Sequence, residues 1–259
     1  MQNKTQLMGF ATNKLLAWVV LGLLGTLTLT GQAQDTLHLK SGQKIDGEVM
    51  SQLPDGSINF KFAQGTIPYR RDSIDKIVLG EREEFKQALA ASETGKYDVV
   101  ITKLQPLMDK FLGIDSLWVA QAAGELANAL RQTGKTFESD KLSERVVKLY
   151  PDSPVRLSGP INKAETLLIR DKVDEAIAAL ESVKDQLPVK PSPNASEMQL
   201  LGDYHFAMGM AMEKKGDKET ALEHYLTVSA VYPKPAKRAQ EADQKADALV
   251  KANAGLSVP

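Results

Sequence analysis

The sequence predicts a mixed multidomain chain, a small all-β barrel followed by an all-α helical solenoid. Three observations predict it. Apolar residues alternate with a period of two from Asp35 to about Leu79 and with a helical period from Glu81 onward. A triplet of marker residues then recurs four times along the helical part. Finally, Ala236 to Asn253 is rich in Lys, Gln, Asp and Ala, the composition of the polar cap that an array of stacked helices requires at its end. A chain of 259 residues, 42% hydrophobic and 25% charged, has the composition of an ordinary globular protein and can hold both parts.

Residues 1–33 stand apart. They carry Lys4 and Lys14, no acidic residue, an apolar run from Leu15 to Leu29 and the small-residue stretch Gly31-Gln32-Ala33. A basic start, a short apolar run and such a site are the marks of a secretory signal peptide, with cleavage expected after Ala33. The run is about 15 residues, where a spanning helix needs roughly 20. Cleavage removes two of the 32 basic residues and none of the 33 acidic ones, leaving a net charge of −3. The chain has no cysteine, which excludes disulfides, thiolate metal sites and the lipid-bearing cysteine of a lipoprotein. A periplasmic or secreted product follows, touching a membrane only through its partners.

Residues 34–80 read as five short strands. Thr36–Lys40 and Lys44–Val49 alternate around the turn Ser41-Gly42-Gln43. Pro54-Asp55-Gly56 is a strong turn, because proline presets its φ and glycine accepts a positive one. Ser57–Phe62, Thr66–Tyr69 and Ile74–Leu79 complete the set. Leu37, Leu39, Lys40, Gly42, Ile45, Gly47, Glu48 and Val49 form an order that resembles the opening of Sm-like and SH3-like barrels. The stretch Arg70 to Ile77 resembles their closing segment. An Sm-like fold would imply RNA binding. Phe60, Phe62 and Tyr69 are accounted for as barrel core, and the net charge offers no attraction to phosphate, so no nucleic-acid partner is expected. The barrel is read as a spacer or docking cap.

Residues 81–234 read as about four helix pairs. The markers are a Gly or Asp at the turn within a pair, a small or apolar residue five positions on, and a Pro or Leu 17 positions after the turn. They are Gly95, Val100 and Leu112; Gly134, Ser139 and Pro151; Asp171, Ala176 and Pro188; and Gly216, Ala221 and Pro233. The turn residue ends a helix in the left-handed conformation, the small residue lets two helices approach, and the proline stops the second helix. Gly95-Lys96-Tyr97, Gly216 to Leu222 and the helix ends Leu149-Tyr150-Pro151 and Val231-Tyr232-Pro233 resemble tetratricopeptide repeats. The family's early tryptophan is missing, with Pro160 and His205 at that position in the third and fourth units. In the second unit Ser139 and Ser143 replace the usual residues, and packing is expected to rest on Phe137, Leu142 and Val146. Residues 235–259 are read as a capping helix and flexible tail.

No catalytic or metal-binding pattern is present. His38, His205 and His224 lack the spacing of zinc ligands, and no nucleophile elbow, zincin or phosphate-loop motif occurs. Asn194-Ala195-Ser196 is a formal glycosylation sequon. Met208 and Met212 share a helical face as core, with Met210 pointing elsewhere. No cofactor is expected and no enzyme activity. If the resemblance to tetratricopeptide repeats holds, first helices line a groove, and the residues off the packing stripe face a protein or peptide partner. These candidates are Phe85, Leu89, Gln121, Asn128, Arg131, Phe206, Met210 and Lys214. Some tetratricopeptide proteins clamp a terminal carboxylate with Lys, Arg and Asn, which Asn128 and Arg131 match in part. The resemblance extends to tetratricopeptide proteins of envelope machinery such as the Tol-Pal system, and implies an exported scaffold. The alternative is a cell-wall or carbohydrate binder that recognises its ligand through the barrel, with Tyr69 as the exposed aromatic.

Overall fold

The computed structural model describes residues 34–253 and 255–256; the expected signal peptide lies outside the described residues. Five strands come first: β1 (Asp35–Leu39), β2 (Lys44–Gln52), β3 (Ile58–Phe62), β4 (Gly65–Tyr69) and β5 (Ile74–Val78). They form one antiparallel sheet in the order β4-β3-β2-β1-β5. No ladder joins β4 to β5 among the described residues, so the structure shows a sheet with two outer strands, and closure into a barrel stays an expectation. Alternation puts Leu37, Val49, Ile58 and Phe60 on the buried face, and a register shift between His38 and Leu39 in the β1–β5 ladder lets Ile74 and Ile77, three apart, face it together. Gly42 and Gly56 take positive φ in the tight turns (86° and 82°).

The sheet is packed on the helices that follow. Asp35, fully buried, is the hinge of that packing. Its carboxylate accepts from the Val49 amide (2.8 Å), the Gly80 amide (3.0 Å) and the Arg82 guanidinium (2.6 Å). One group thus fixes β1 to β2 and both to the connection. The Gln52 amide donates to the carbonyls of Lys110 and Leu112, and the Trp118 indole donates to the Leu79 carbonyl (3.3 Å). A single apolar core runs from Leu37 and Phe60 through Phe85, Phe111 and Trp118 to Leu126.

Nine α-helices follow among the described residues: α1 (Glu83–Glu93), α2 (Tyr97–Phe111), α3 (Leu117–Gln132), α4 (Thr136–Leu149), α5 (Ser158–Ile169), α6 (Val173–Lys184), α7 (Ala195–Lys215), α8 (Lys218–Val231) and α9 (Ala236–Ala252). The first eight make four antiparallel pairs. All four turn markers take positive φ, at 69° for Gly95, 81° for Gly134, 60° for Asp171 and 88° for Gly216. Aspartate is among the few side chains that tolerate this region, which explains why the third pair manages without glycine. The residues five on, Val100, Ser139, Ala176 and Ala221, are fully or almost fully buried where the paired helices meet.

Phe137 corrects an expectation. It is 76% exposed, and the second pair rests on Leu142 and Val146, while the Ser139 hydroxyl donates to the Ala127 carbonyl (2.7 Å). The buried stripe of α4 runs through 139, 142, 143 and 146, and at 3.6 residues per turn Phe137 falls on the opposite side of the helix.

The array curls until its end meets its beginning. The Ala236 amide donates to Glu93 (2.9 Å) and Lys234 pairs with the same carboxylate (3.2 Å), tying the start of α9 to the end of α1. The capping helix therefore turns Arg238, Ala242, Ala246 and Leu249 inward instead of presenting a polar face alone.

Candidate functional site

The curl brings together the inner faces of α3, α5, α7 and α9, and the groups there are charged. Arg131 on α3 forms an ion pair with Glu165 on α5 and donates to Asn162 Oδ1 (3.2 Å) and Asn128 Oδ1 (2.8 Å). Arg238 on α9 donates to the other oxygen of Glu165 (3.1 Å), to Asp203 on α7 (3.0 Å) and to Glu241 (3.4 Å), and its guanidinium lies 4.3 Å over the Phe206 ring. Arg131, Glu165 and Arg238 are each at most 7% exposed. Burial alone would lower the Arg238 pKa, but Glu165, Asp203 and Glu241 outweigh it and raise the pKa above its ordinary value. Burial pushes the Asp203 carboxyl up, with Arg238 opposing.

Beyond this network the inner face opens into a cleft of about 680 Å³. It is bounded by α1, α3, the 3-10 turn Pro154–Leu157 and the start of α7. Phe85, Leu89 and Trp118 line it, and Leu117, 75% exposed, stands at its mouth. Phe85 packs on Trp118 with ring centroids 5.6 Å apart, so the floor is rigid. Glu81, Ser116, Ser196 and Glu197 give the rim its polar character. A capping box holds the α7 side in place. The Asn194 side chain accepts from the Glu197 amide (2.9 Å) and the Glu197 carboxylate accepts from the Asn194 amide (2.9 Å). The sequon asparagine is thus a helix cap.

A smaller recess of about 40 Å³ adjoins the cleft and shares Gln121, Pro154, Val155 and Ser196 with it. Glu125, Asn128, Asn162, Gln199 and Asp203 line its deeper wall. Gly124 is required there, because a Cβ would stand 2.7 Å from Val155 Cγ1. Glu125 is 4% exposed and accepts from the Ser92 hydroxyl (2.9 Å). Burial pushes its carboxyl up to about 7, against the hydrogen bonds from Ser92 and Gln199 that lower it. Asn162 Nδ2 is buried without a hydrogen-bond partner.

The eight residues expected to face a partner divide in the structure. Phe85, Leu89, Gln121 and Asn128 come together along the cleft and its recess. Four expectations of a free surface are corrected: Phe85, Asn128, Arg131 and Phe206 are all at least nine-tenths buried. Phe85 is cleft floor, Phe206 lies under Arg238, and Arg131 and Asn128 are held by the inner network. A carboxylate clamp is therefore not free to form at Arg131, whose charge is already matched by Glu165. Met210 is half-buried and packs between two apolar clusters, as Met212 does. Lys214 is exposed but pairs with Asp171 (2.9 Å), away from the cleft. The sequence reading missed Leu117, Trp118, Glu125, Asn162 and Gln199. The capping signal from Asn194 to Glu197 was available to place the α7 wall.

His205 and His224 meet across α7 and α8 with their Nδ1 atoms 2.9 Å apart. Burial, then the neighbouring His224, pushes His205 down to about 4, and burial pushes His224 down as well. At neutral pH both rings are uncharged, and one Nδ1–H donates to the other ring. His205 also stacks on Tyr232 (5.5 Å), so the pair acts as packing within the fourth unit.

Residues 125–153 and 203–235 match a family model described as "Tetratricopeptide repeat". These stretches fall on the second and fourth helix pairs. Among solved structures, one of MamA from AMB-1 is 19% identical, with 66% of this chain and 99% of that one covered and a TM-score of 0.38. A structure of nearly identical TPR-like repeats, described as those of a Podosopora anserina kinesin light chain, is 20% identical, with 66% and 85% covered and a TM-score of 0.40. No curated protein matches the chain. The chain is a five-stranded antiparallel sheet followed by a tetratricopeptide-like helical solenoid.

Proposed function

We propose that the protein is an exported, non-enzymatic scaffold of the bacterial cell envelope that holds an extended segment of a partner protein in the cleft between α1, α3 and α7. The observation that carries this reading is the cleft itself. It pairs a rigid aromatic floor with an exposed leucine at its mouth and a polar rim, the arrangement by which a few apolar anchors supply affinity while polar groups set specificity. The tetratricopeptide character of the flanking helix pairs supports a protein partner. Export rests on the sequence of residues 1–33. The sheet, read as a small SH3-like barrel, serves to brace the first two helix pairs. Recognition of carbohydrate by that domain is disfavoured, because Tyr69 is half-buried and packs edge-on against Phe60 (6.4 Å).

Two measurements test the reading. Sequencing the amino terminus of the protein made by its own cell should find Gln34 first; an intact Met1 would contradict cleavage after Ala33. A photo-crosslinking residue placed at Leu117 should join a defined partner in the living cell, whereas one placed at Lys148 on α4 should not. Equal labelling at both positions would refute the cleft as the binding surface.

A further inference from the structure

The recess beside the cleft has a donor and acceptor pattern that selects one chemistry. Arg131 sets it. A guanidinium has only donors, so the oxygens of Asn128 and Asn162 must face it, and they do, at 2.8 and 3.2 Å. The amide nitrogens therefore turn away, and Asn162 Nδ2 is left buried with no partner, on a residue 4% exposed that lines the recess. A buried donor in this state is rare and calls for an acceptor. On the opposite side stand two carboxyl groups that line the same recess, Glu125, which already accepts from Ser92, and Asp203, which already accepts from Arg238; each keeps lone pairs for one further donor. The positive charge nearby is already matched, Arg131 by Glu165 and Arg238 by Glu165 and Asp203.

Three ligand groups can be compared. An ammonium would satisfy the carboxyls but leave Asn162 Nδ2 without an acceptor. A carboxylate would satisfy Asn162 but stand against the charge of Asp203. A primary carboxamide offers an oxygen to Asn162 and an N–H to the carboxyls at once. Size agrees with it. The recess has about 40 Å³ of room, and a single water needs roughly 10–15 Å³ on this scale, so about three non-hydrogen atoms fit. A terminal carboxamide has that number. Glu125 sits at about 7 through burial and so keeps a proton below neutral pH, which limits the cost of leaving it without a cation.

We infer that the recess is a subsite for a side-chain carboxamide, taking the glutamine or asparagine of a partner segment whose apolar neighbour rests on Leu117 and Leu89 in the adjoining cleft. The inference rests on the reading of the cleft as a peptide site, and Arg131 acts in it as a positioning residue.

Selecting a random peptide display library on the full-length purified protein tests both at once. The expected result is a family of peptides with Gln or Asn at a fixed spacing from an apolar residue. Synthetic copies with that Gln replaced by Glu, Lys or Met should bind at least about tenfold more weakly, the scale of one buried group left unpaired. Asn162→Asp keeps the oxygen that faces Arg131 and replaces the free donor by an acceptor, so the same selection should then favour Lys or Arg at that position. Peptides that share the apolar residue, bind through Leu117 and show no amide preference would overturn the subsite and leave the cleft standing. A preference for Lys or for Glu in the unaltered protein would overturn it equally. If no selected peptide loses binding in Leu117→Asp, the cleft reading falls as well. The synthetic swaps need no protein variant, so a failure of Asn162→Asp to fold would not blunt the test.

Discussion

The inner face of the array has two regions that share α3 and α7, and they differ in how their polar groups are satisfied. Towards α9, Arg131, Glu165, Arg238, Asp203 and Glu241 pair among themselves and close the surface. Towards α1, the floor is Phe85, Leu89 and Trp118, the mouth is an exposed Leu117, and Asn162 Nδ2 at the boundary has no partner. A solenoid that curls back on itself must fill its inside with something. Here one region is filled by its own charges and the other is left open. The difference teaches that a repeat's inward polar residues are not binding residues by position alone. What decides is whether the opposing helix brings a matching group.

The largest effect should come from breaking the closed region. Arg238→Ala leaves Glu165 and Asp203 buried without their cation and should cost about 3–5 kcal/mol in urea denaturation. A cost below about 1 kcal/mol would mean that the network does not hold α9 in place.

Next comes the boundary, read through pH. The Glu125 carboxyl titrates at about 7 when folded, above its ordinary value of 4.5. The folded state therefore holds a proton that the unfolded state has lost between those values. Its stabilising contribution is full below 4.5, falls as pH rises, and is gone above about 7, a total of roughly 3 kcal/mol. Glu125→Gln should remove this part of the pH dependence, so that the stability difference between variant and parent grows in the variant's favour from about pH 5 to about pH 8. A difference that stays flat over that range would place the titration elsewhere.

A smaller loss is expected within the fourth pair, outside the cleft. A Cβ at Gly209 would stand 2.7 Å from the Tyr225 ring, so Gly209→Ala should cost about 1–3 kcal/mol through overpacking. Thermal unfolding measures it, and the cleft should keep its affinity in the folded variant. The smallest change in stability belongs to the open region. Leu117→Asp alters a side chain that is 75% exposed and should leave stability within about 0.5 kcal/mol.

Much of the architecture was legible because it rests on local rules. Alternation placed the five strands, and the positive φ needed to turn between paired helices marked Gly95, Gly134, Asp171 and Gly216. The inner face was only partly legible. Periodicity separates the stripe that packs within a pair from everything else, and it assigns Asn128, Arg131 and Phe206 to the remainder. It cannot register that α5 and α9, far along the chain from α3, return to bury them through Asn162 and Arg238. Phe137 shows the converse, an aromatic residue opposite the buried stripe and therefore exposed. Arg238 was hidden for the same reason, since a helix rich in Lys, Gln and Asp reads as solvated until its partner helix is known.

The contrast between a closed and an open region meets its most direct test in one titration. A peptide selected on the full-length protein is measured by calorimetry against the parent and against Leu117→Asp, with the melting temperature of each recorded alongside. The expected result is binding at least about tenfold weaker in the variant with melting unchanged, the behaviour of an anchor that contacts a partner and nothing else. Equal affinity in the two proteins would contradict it.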